Sequence, residues 1–225
     1  MIEAVIFDMD GIIFDTESLS DQAWKYAGME IGRDVAEMHP QAMGMNADRT
    51  KQLFHDTFGE EFPYDVFRQN IIDYTDNYIA KHGLPVKPGL YELLDYLKQN
   101  GYKIAAASST RRDCVMEYFN RAKITEYFDE IICGDMVEKS KPDPDIYLKA
   151  AGVLKTEPQN CMALEDSPNG LNSAYRAGMI TVMVPDLVQP TPELQKIIFA
   201  CVPSLSEVIP LLNSGKRKKS IAAVI

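Results

Sequence analysis

Five short apolar runs, Glu3 to Phe7, Lys103 to Ala107, Glu130 to Cys133, Cys161 to Leu164 and Ile180 to Val184, are continuous rather than alternating. A strand that is apolar at every position must be covered on both faces, which is the condition of a parallel sheet packed between helices. Helical patterns lie between these runs. Leu90, Leu93, Leu94 and Leu97 recur at helical spacing, with Gly101 as a stop signal before the second run. Val115, Phe119 and Ala122 predict a helix before the third. Asp143-Pro144 reads as an N-cap followed by Pro at the first helical position, opening a helix over Ile146 to Leu154, and Ser167-Pro168 repeats the signal after the fourth run. Strand alternating with helix through right-handed crossovers gives an open α/β sheet of Rossmann-like type.

More than 80 residues separate the first two strands, far more than one crossover helix requires. The excess carries three helical stretches, Glu17 to Ala27, Ala47 to Phe58 and Tyr64 to His82, and returns through the Pro/Gly linker Leu84 to Gly89. The expected organisation is an α/β core of residues 1–15 and 86–225, with a small α-helical cap domain, residues 16–85, inserted after the first strand.

Ligands of open α/β sheets bind outside the carboxyl ends of the strands. The first strand delivers Asp8 and Asp10 there, and the second ends in Ser108-Ser109-Thr110. Lys139-Ser140-Lys141-Pro142 follows the third, and the fourth ends in Glu165-Asp166-Ser167. Two carboxylates as close as Asp8 and Asp10 disfavour each other's ionisation, so a cation, a substrate or a hydrogen-bonding shell must offset the repulsion. Acids from two strands, a hydroxyl cluster and a lysine on one edge suit a divalent cation and a phosphoryl group.

The stretch FDMDGIIFDTE, Phe7 to Glu17, resembles the D-x-D-G-x-x-x-D-[ST] signature of the haloacid-dehalogenase superfamily of phosphohydrolases. Ser108, the SKPDPDIY motif with Lys141, and EDSPNGLNSAYRAGM follow in that family's order, so the resemblance spans nearly the whole chain. In detail it is similar to the helical-cap subgroup that contains β-phosphoglucomutase and many small-metabolite phosphatases. The resemblance implies that Asp8 is the nucleophile, forming an aspartyl-phosphate, and that Asp10 is the general acid and then the base. It implies Mg²⁺ held by Asp8, the Asp10 backbone carbonyl and Asp166, with Glu165 as a ligand or a partner behind the ligands. Ser108 and Lys141 would bind the transferring oxygens. Gly11 would turn the chain toward the cap, and Gly11, Ser109 and Arg49 are expected at the substrate.

Arg49 falls where the related mutases carry a cap-loop arginine that contacts the substrate's distal group; an exposed arginine opening a helix is the other reading. Those mutases also carry a histidine where this chain has Ser20, which favours hydrolysis over mutase chemistry. The implied activity is therefore a Mg²⁺-dependent phosphatase acting on a small phosphorylated metabolite such as a sugar phosphate, with a phosphomutase as the alternative. A metal-independent dehalogenase would lack the acid at Asp10. A receiver-like signalling domain would carry its phosphoacceptor on the third strand, which here ends in Cys133-Gly134. A catalytically silent binding protein fits poorly with the full set of acids.

Other residues read more simply. Asp15 and Thr16 are expected as cap or turn residues of the first inserted helix, Ser167 as an N-cap, and Ser108 as an N-cap that can also meet phosphate. His39, His55 and His82 show no metal spacing and read as surface or internally satisfied. Trp24, Met43 and Met45 read as core filling. The formal net charge of -10 repels nucleic acid, and Lys216-Arg217-Lys218-Lys219 reads as a solvated tail. No apolar run approaches the roughly 18 residues of a membrane span. Four scattered cysteines without a C-x-x-C pair, and no signal pattern at Met1, fit a cytoplasmic protein; a monomer or weak homodimer is expected.

Overall fold

The computed structural model of the chain describes residues 1–43 and 45–213. The basic cluster Lys216 to Lys219, and Gly44, lie outside these residues. Six parallel strands form one sheet: β1 (Ala4–Phe7), β2 (Lys103–Ser108), β3 (Glu130–Cys133), β4 (Cys161–Glu165), β5 (Ile180–Met183) and β6 (Ala200–Cys201). Their order is β3-β2-β1-β4-β5-β6, so β1 is central and both neighbours run beside it in register, Phe7 facing Ala106 on one side and Leu164 on the other. The fifth predicted strand is thus followed by a sixth that pattern did not announce. At two residues, β6 is shorter than any period can reveal.

The continuous apolar reading of β1 has a direct structural cause. Val5 and Phe7 enter one apolar cluster with Leu93, Leu94, Leu97 and Phe119, while Ala4 and Ile6 enter another with Tyr147, Ala150 and Ala174. The first cluster is closed by α5 (Leu90–Gln99) and α6 (Arg112–Ala122), the second by α7 (Asp145–Val153) and α8 (Pro168–Arg176). Each fully buried leucine or phenylalanine stabilises the fold by about 1.5–3 kcal/mol. Two helix starts behave differently. Ser167 caps α8, its hydroxyl accepting the Gly170 N–H at 3.1 Å. The expected Asp143 cap is not made: α7 begins at Asp145, and Asp143 sits in the preceding turn, its N–H bonded to the Ser140 carbonyl at 3.0 Å.

Between β1 and α5 the chain builds a helical layer from α1 (Glu17–Glu30), α2 (His39–Ala42), α3 (Ala47–Phe58) and α4 (Tyr64–His82). This layer has its own core, in which Trp24 meets Phe54 and Phe67 at 5.4 Å each, and Phe54 meets Phe62 at 4.8 Å. Three helices match expectation; α2 adds a fourth, too short to show a repeat. Among the described residues no helix is long and apolar enough to cross a membrane.

The two connections to the core run side by side. Phe14 pairs with Val86 in an antiparallel bridge, Asp15 N–H donates to the Pro85 carbonyl at 3.0 Å, and Lys87 N–H donates to the Ile13 carbonyl at 3.0 Å. Lys87 Nζ also lies 3.2 Å from Asp186 and 3.6 Å from Asp15.

Candidate active site

The carboxyl ends of β1, β2 and β4 gather most of the residues singled out from the sequence. Asp8 follows β1 directly, its N–H held by the Leu164 carbonyl at 3.0 Å. Lys141, only 1 % exposed, reaches in from the segment before α7. Its Nζ donates to Asp8 Oδ1 and to Glu165 Oε1, both at 2.6 Å. Tyr147 on α7 donates its hydroxyl to the same Glu165 oxygen at 2.6 Å, and Ser167 donates its hydroxyl to Glu165 Oε2 at 3.2 Å. Glu165 is therefore engaged on both oxygens. Asp166 is the opposite case: it is fully buried and neither of its oxygens has a partner.

Asp10 is held from two sides. Thr16 donates its hydroxyl to Oδ1 at 2.7 Å, and Thr110 donates to Oδ2 at 3.1 Å. Thr16 stands at the N-cap position of α1 but makes no side-chain cap bond there, so the expected helix-capping role gives way to a bond with the acid. Ser108 is buried at the end of β2, its hydroxyl accepting the Thr110 N–H at 3.0 Å, while Ser109 lines the cavity above. Gly11 has φ +78° and packs on Asp166; a Cβ there would collide with that carboxylate.

Asp8, Asp10, Glu17, Glu165 and Asp166 converge with Lys141 as the one cation among them. Burial pushes Asp8 up to about 8, with the Glu165 charge adding to the rise and Lys141 opposing it. Burial likewise raises Asp10, against the two threonine bonds that favour its anion. Asp166 is held well above the usual carboxylate range by burial and then by Glu17 and Glu165. Burial alone would lower Lys141, but Asp8 and Glu165 together overcome it and keep the ammonium charged. Asp8, Glu165 and Asp166 place one ligand oxygen each within 4.8 Å of one another. A surplus of buried acid with two orphaned oxygens fits a hard divalent cation.

Above this floor a cavity of about 260 Å³ separates the sheet from the helical layer. Asp8, Asp10 and Ser109 face it from the core, and Glu17, Ser20 and His39 from the helices. Arg49 is not among its lining residues; the guanidinium donates to the Lys141 carbonyl at 3.3 Å. A second link joins the layers where Asn169 Nδ2 donates to the Met43 carbonyl at 2.8 Å.

The family model of the haloacid dehalogenase-like hydrolases matches residues 5–184. The chain belongs to this family. Among its curated relatives, the phosphorylated carbohydrates phosphatase of Thermotoga maritima is 31% identical over 179 residues, covering 79% of this chain and 82% of its own. The beta-phosphoglucomutase of Bacillus subtilis is 31% identical over 192 residues, covering 81% and 83%. In three dimensions this haloacid dehalogenase-like hydrolase is similar to CbbY from Rhodobacter sphaeroides, solved in complex with phosphate. The TM-score is 0.76 at 26% identity, over 92% of this chain and 96% of that one.

Within the hydrolase's site, sequence reasoning missed the roles of Thr16, Tyr147 and His39, and it named Thr110 only within the hydroxyl cluster that ends β2. Thr16 closes the D-x-D-G-x-x-x-D-[ST] signature, which was its signal. His39 takes the internally satisfied alternative: it is buried, its Nε2 lies 2.9 Å from Ser20 Oγ, and it also lines the cavity. Trp24 and Met43 are buried as expected and also line the cavity, whereas Met45 lines it while only half-buried. His55 and His82 keep their expected place away from it.

Proposed function

We propose that the chain is a Mg²⁺-dependent phosphohydrolase that releases phosphate from a small phosphorylated metabolite of the sugar-phosphate kind. The observation that carries this reading is the Asp8–Lys141–Glu165 chain of 2.6 Å contacts beside the unpartnered Asp166. Lys141 holds one oxygen of Asp8, and the other attacks phosphorus while the ester oxygen leaves with a proton from Asp10. Water then attacks the aspartyl-phosphate, Asp10 takes its proton, and inorganic phosphate departs with Asp8 regenerated. Burial already favours the protonated form of Asp10 that the first step needs.

Asp8, Asp166 and the Asp10 carbonyl are the groups that would hold Mg²⁺, and Glu165 serves this reading as the anchor of Lys141. The bound ion would offset repulsion between the nucleophile and the anionic phosphate. Ser108, Ser109 and Lys141 meet the transferring oxygens. Gly11 lets the chain leave the strand without filling the space of Asp166.

Residues 16–85 act here as a cap on the core of residues 1–15 and 86–225, moving about the paired connections at Phe14 and Val86. Arg49 keeps its bond to the Lys141 carbonyl at 3.3 Å in this reading and ties the cap to the core instead of meeting substrate. A cytoplasmic setting, which the four free cysteines support, and a monomer or weak homodimer belong to the same reading.

The mutase reading draws on the beta-phosphoglucomutase relative. A mutase passes through a bisphosphate and must hold a second phosphate, yet no lysine or arginine occurs among the described residues lining the cavity. Hydrolysis fits that lining better. The test is a panel of phosphorylated metabolites with Mg²⁺, with and without EDTA, scored for inorganic phosphate and for isomer formation. Phosphate release lost with EDTA and with Asp8→Asn is expected. Turnover retained by Asp8→Asn, or isomer formed faster than phosphate, overturns the reading.

A further inference from the structure

The phosphohydrolase reading uses the core side of the cavity and leaves the polar side chains on the helical side unexplained, a buried histidine among them. His39, on the short α2, is 4 % exposed. Its Nε2 lies 2.9 Å from Ser20 Oγ and 3.6 Å from Glu17 Oε2, both on or opening α1. Its ring meets Trp24 edge-on at 5.0 Å. Nδ1 is 3.9 Å from Asp21, which is itself paired with Lys25 at 2.6 Å. Burial lowers His39 to about 4, outweighing Asp21, so the ring is neutral at neutral pH.

A neutral imidazole offers one donor and one acceptor. Whichever Nε2 presents, it fixes the rotor of the Ser20 hydroxyl and so decides what Ser20 offers the cavity. Glu17 stands beside it with a carboxyl group that burial and then the neighbouring acids hold well above the usual carboxylate range, so that it can donate as well as accept. All three residues line the same cavity as Asp8 and Asp10, in a wall that Leu19, Trp24 and Met43 make largely apolar and to which Thr50 and Thr75 add further hydroxyls.

We propose that Glu17, Ser20 and His39 form a hydroxyl-reading set that selects phosphate esters whose leaving group is an uncharged polyol. Glu17 and Ser20 hydrogen-bond hydroxyls on the carbons near the ester oxygen, and His39 is the positioning residue behind them. An ester lacking those hydroxyls leaves buried polar groups unpaired and is bound less well in the transition state. A leaving group with its own negative charge enters a buried wall with no lysine or arginine among the described lining residues, so its charge is desolvated without a partner.

This proposal rests on the phosphohydrolase reading, and its test separates the two. Phosphate release with Mg²⁺ is measured for polyol phosphates of three to six carbons, for their deoxy counterparts, and for p-nitrophenyl phosphate. The unaltered enzyme is expected to favour its best polyol ester over the deoxy partner by about 100-fold in kcat/KM. Ser20→Ala and His39→Leu should compress that ratio to about tenfold or less, mainly through KM, with part restored in His39→Gln. Ser20→Ala removes one oxygen only, so the answer does not depend on how well His39→Leu folds. An unchanged ratio with both esters falling equally overturns the proposal, as does a preference for a bisphosphate. Release from p-nitrophenyl phosphate without polyol preference overturns the hydroxyl-reading set alone. Release from no ester overturns both readings.

Discussion

Thr16 donates its hydroxyl to Asp10 at 2.7 Å, so the residue that opens the first helix of the helical layer holds an acid of the core. If the layer moves, this bond couples its position to the proton inventory of Asp10. Thr16→Val keeps the shape and removes the bond. We expect kcat for phosphate release to fall about tenfold, equivalent to roughly 1.4 kcal/mol, with KM little changed. A fall confined to KM would count against the coupling.

Lys141 neutralises Asp8 and Glu165 in a site that is almost fully buried. Removing one partner of such a pair leaves uncompensated charge, so Lys141→Met should destabilise by about 3 kcal/mol in urea unfolding. Adding Glu165→Gln to that variant should return part of the loss, because one orphaned charge disappears. A double variant no more stable than the single one would contradict this account.

Asp8 sits at about 8 rather than 3.8 in the metal-free protein. The folded state thus holds a proton that the unfolded state releases near pH 4. Stability from this group is complete below about pH 4 and is lost as pH rises through about 8. In EDTA, Asp8→Asn should therefore gain on the unaltered protein between pH 5 and pH 8, as read from urea midpoints. Mg²⁺ should raise the melting temperature more at pH 8 than at pH 5, and Asp166→Asn should lose most of that rise.

His39 has the reverse sign. Its folded value of about 4 lies below 6.5, because burial outweighs Asp21 while Lys25 assists the lowering. Stability is complete above pH 6.5 and is lost as pH falls through 4, by roughly 3 kcal/mol in all. His39→Gln should flatten the acid limb of the stability curve by that amount. Glu17 and Ser20 also face the ring, so the comparison is best made in each of their single variants.

Much of this architecture was legible because burial leaves a linear trace. β1 reads apolar throughout since Val5 and Phe7 enter one cluster while Ala4 and Ile6 enter the other. Strand ends then place Asp8, Lys141 and Asp166 on one edge without any knowledge of contacts. What escaped were residues whose meaning lies in a partner far along the chain. Tyr147 meets Glu165 from the face of α7, and His39 meets Ser20 from a helix of four residues. No periodicity points to either. Thr16 was misread because a hydroxyl before a helix ordinarily serves that helix, and here it turns the other way.

The paired connections at Phe14 and Val86 have a consequence for how such a chain can be altered. The helical layer leaves and rejoins the core through neighbouring backbone that is already hydrogen-bonded, Ile13 to Lys87 and Asp15 to Pro85. A foreign segment needs only two adjacent ends to fill that gap, and the order of the six strands does not depend on what lies between them. The layer is therefore a cassette. Grafting another between Asp15 and Pro85 exchanges the roof over the acids while leaving the floor in register.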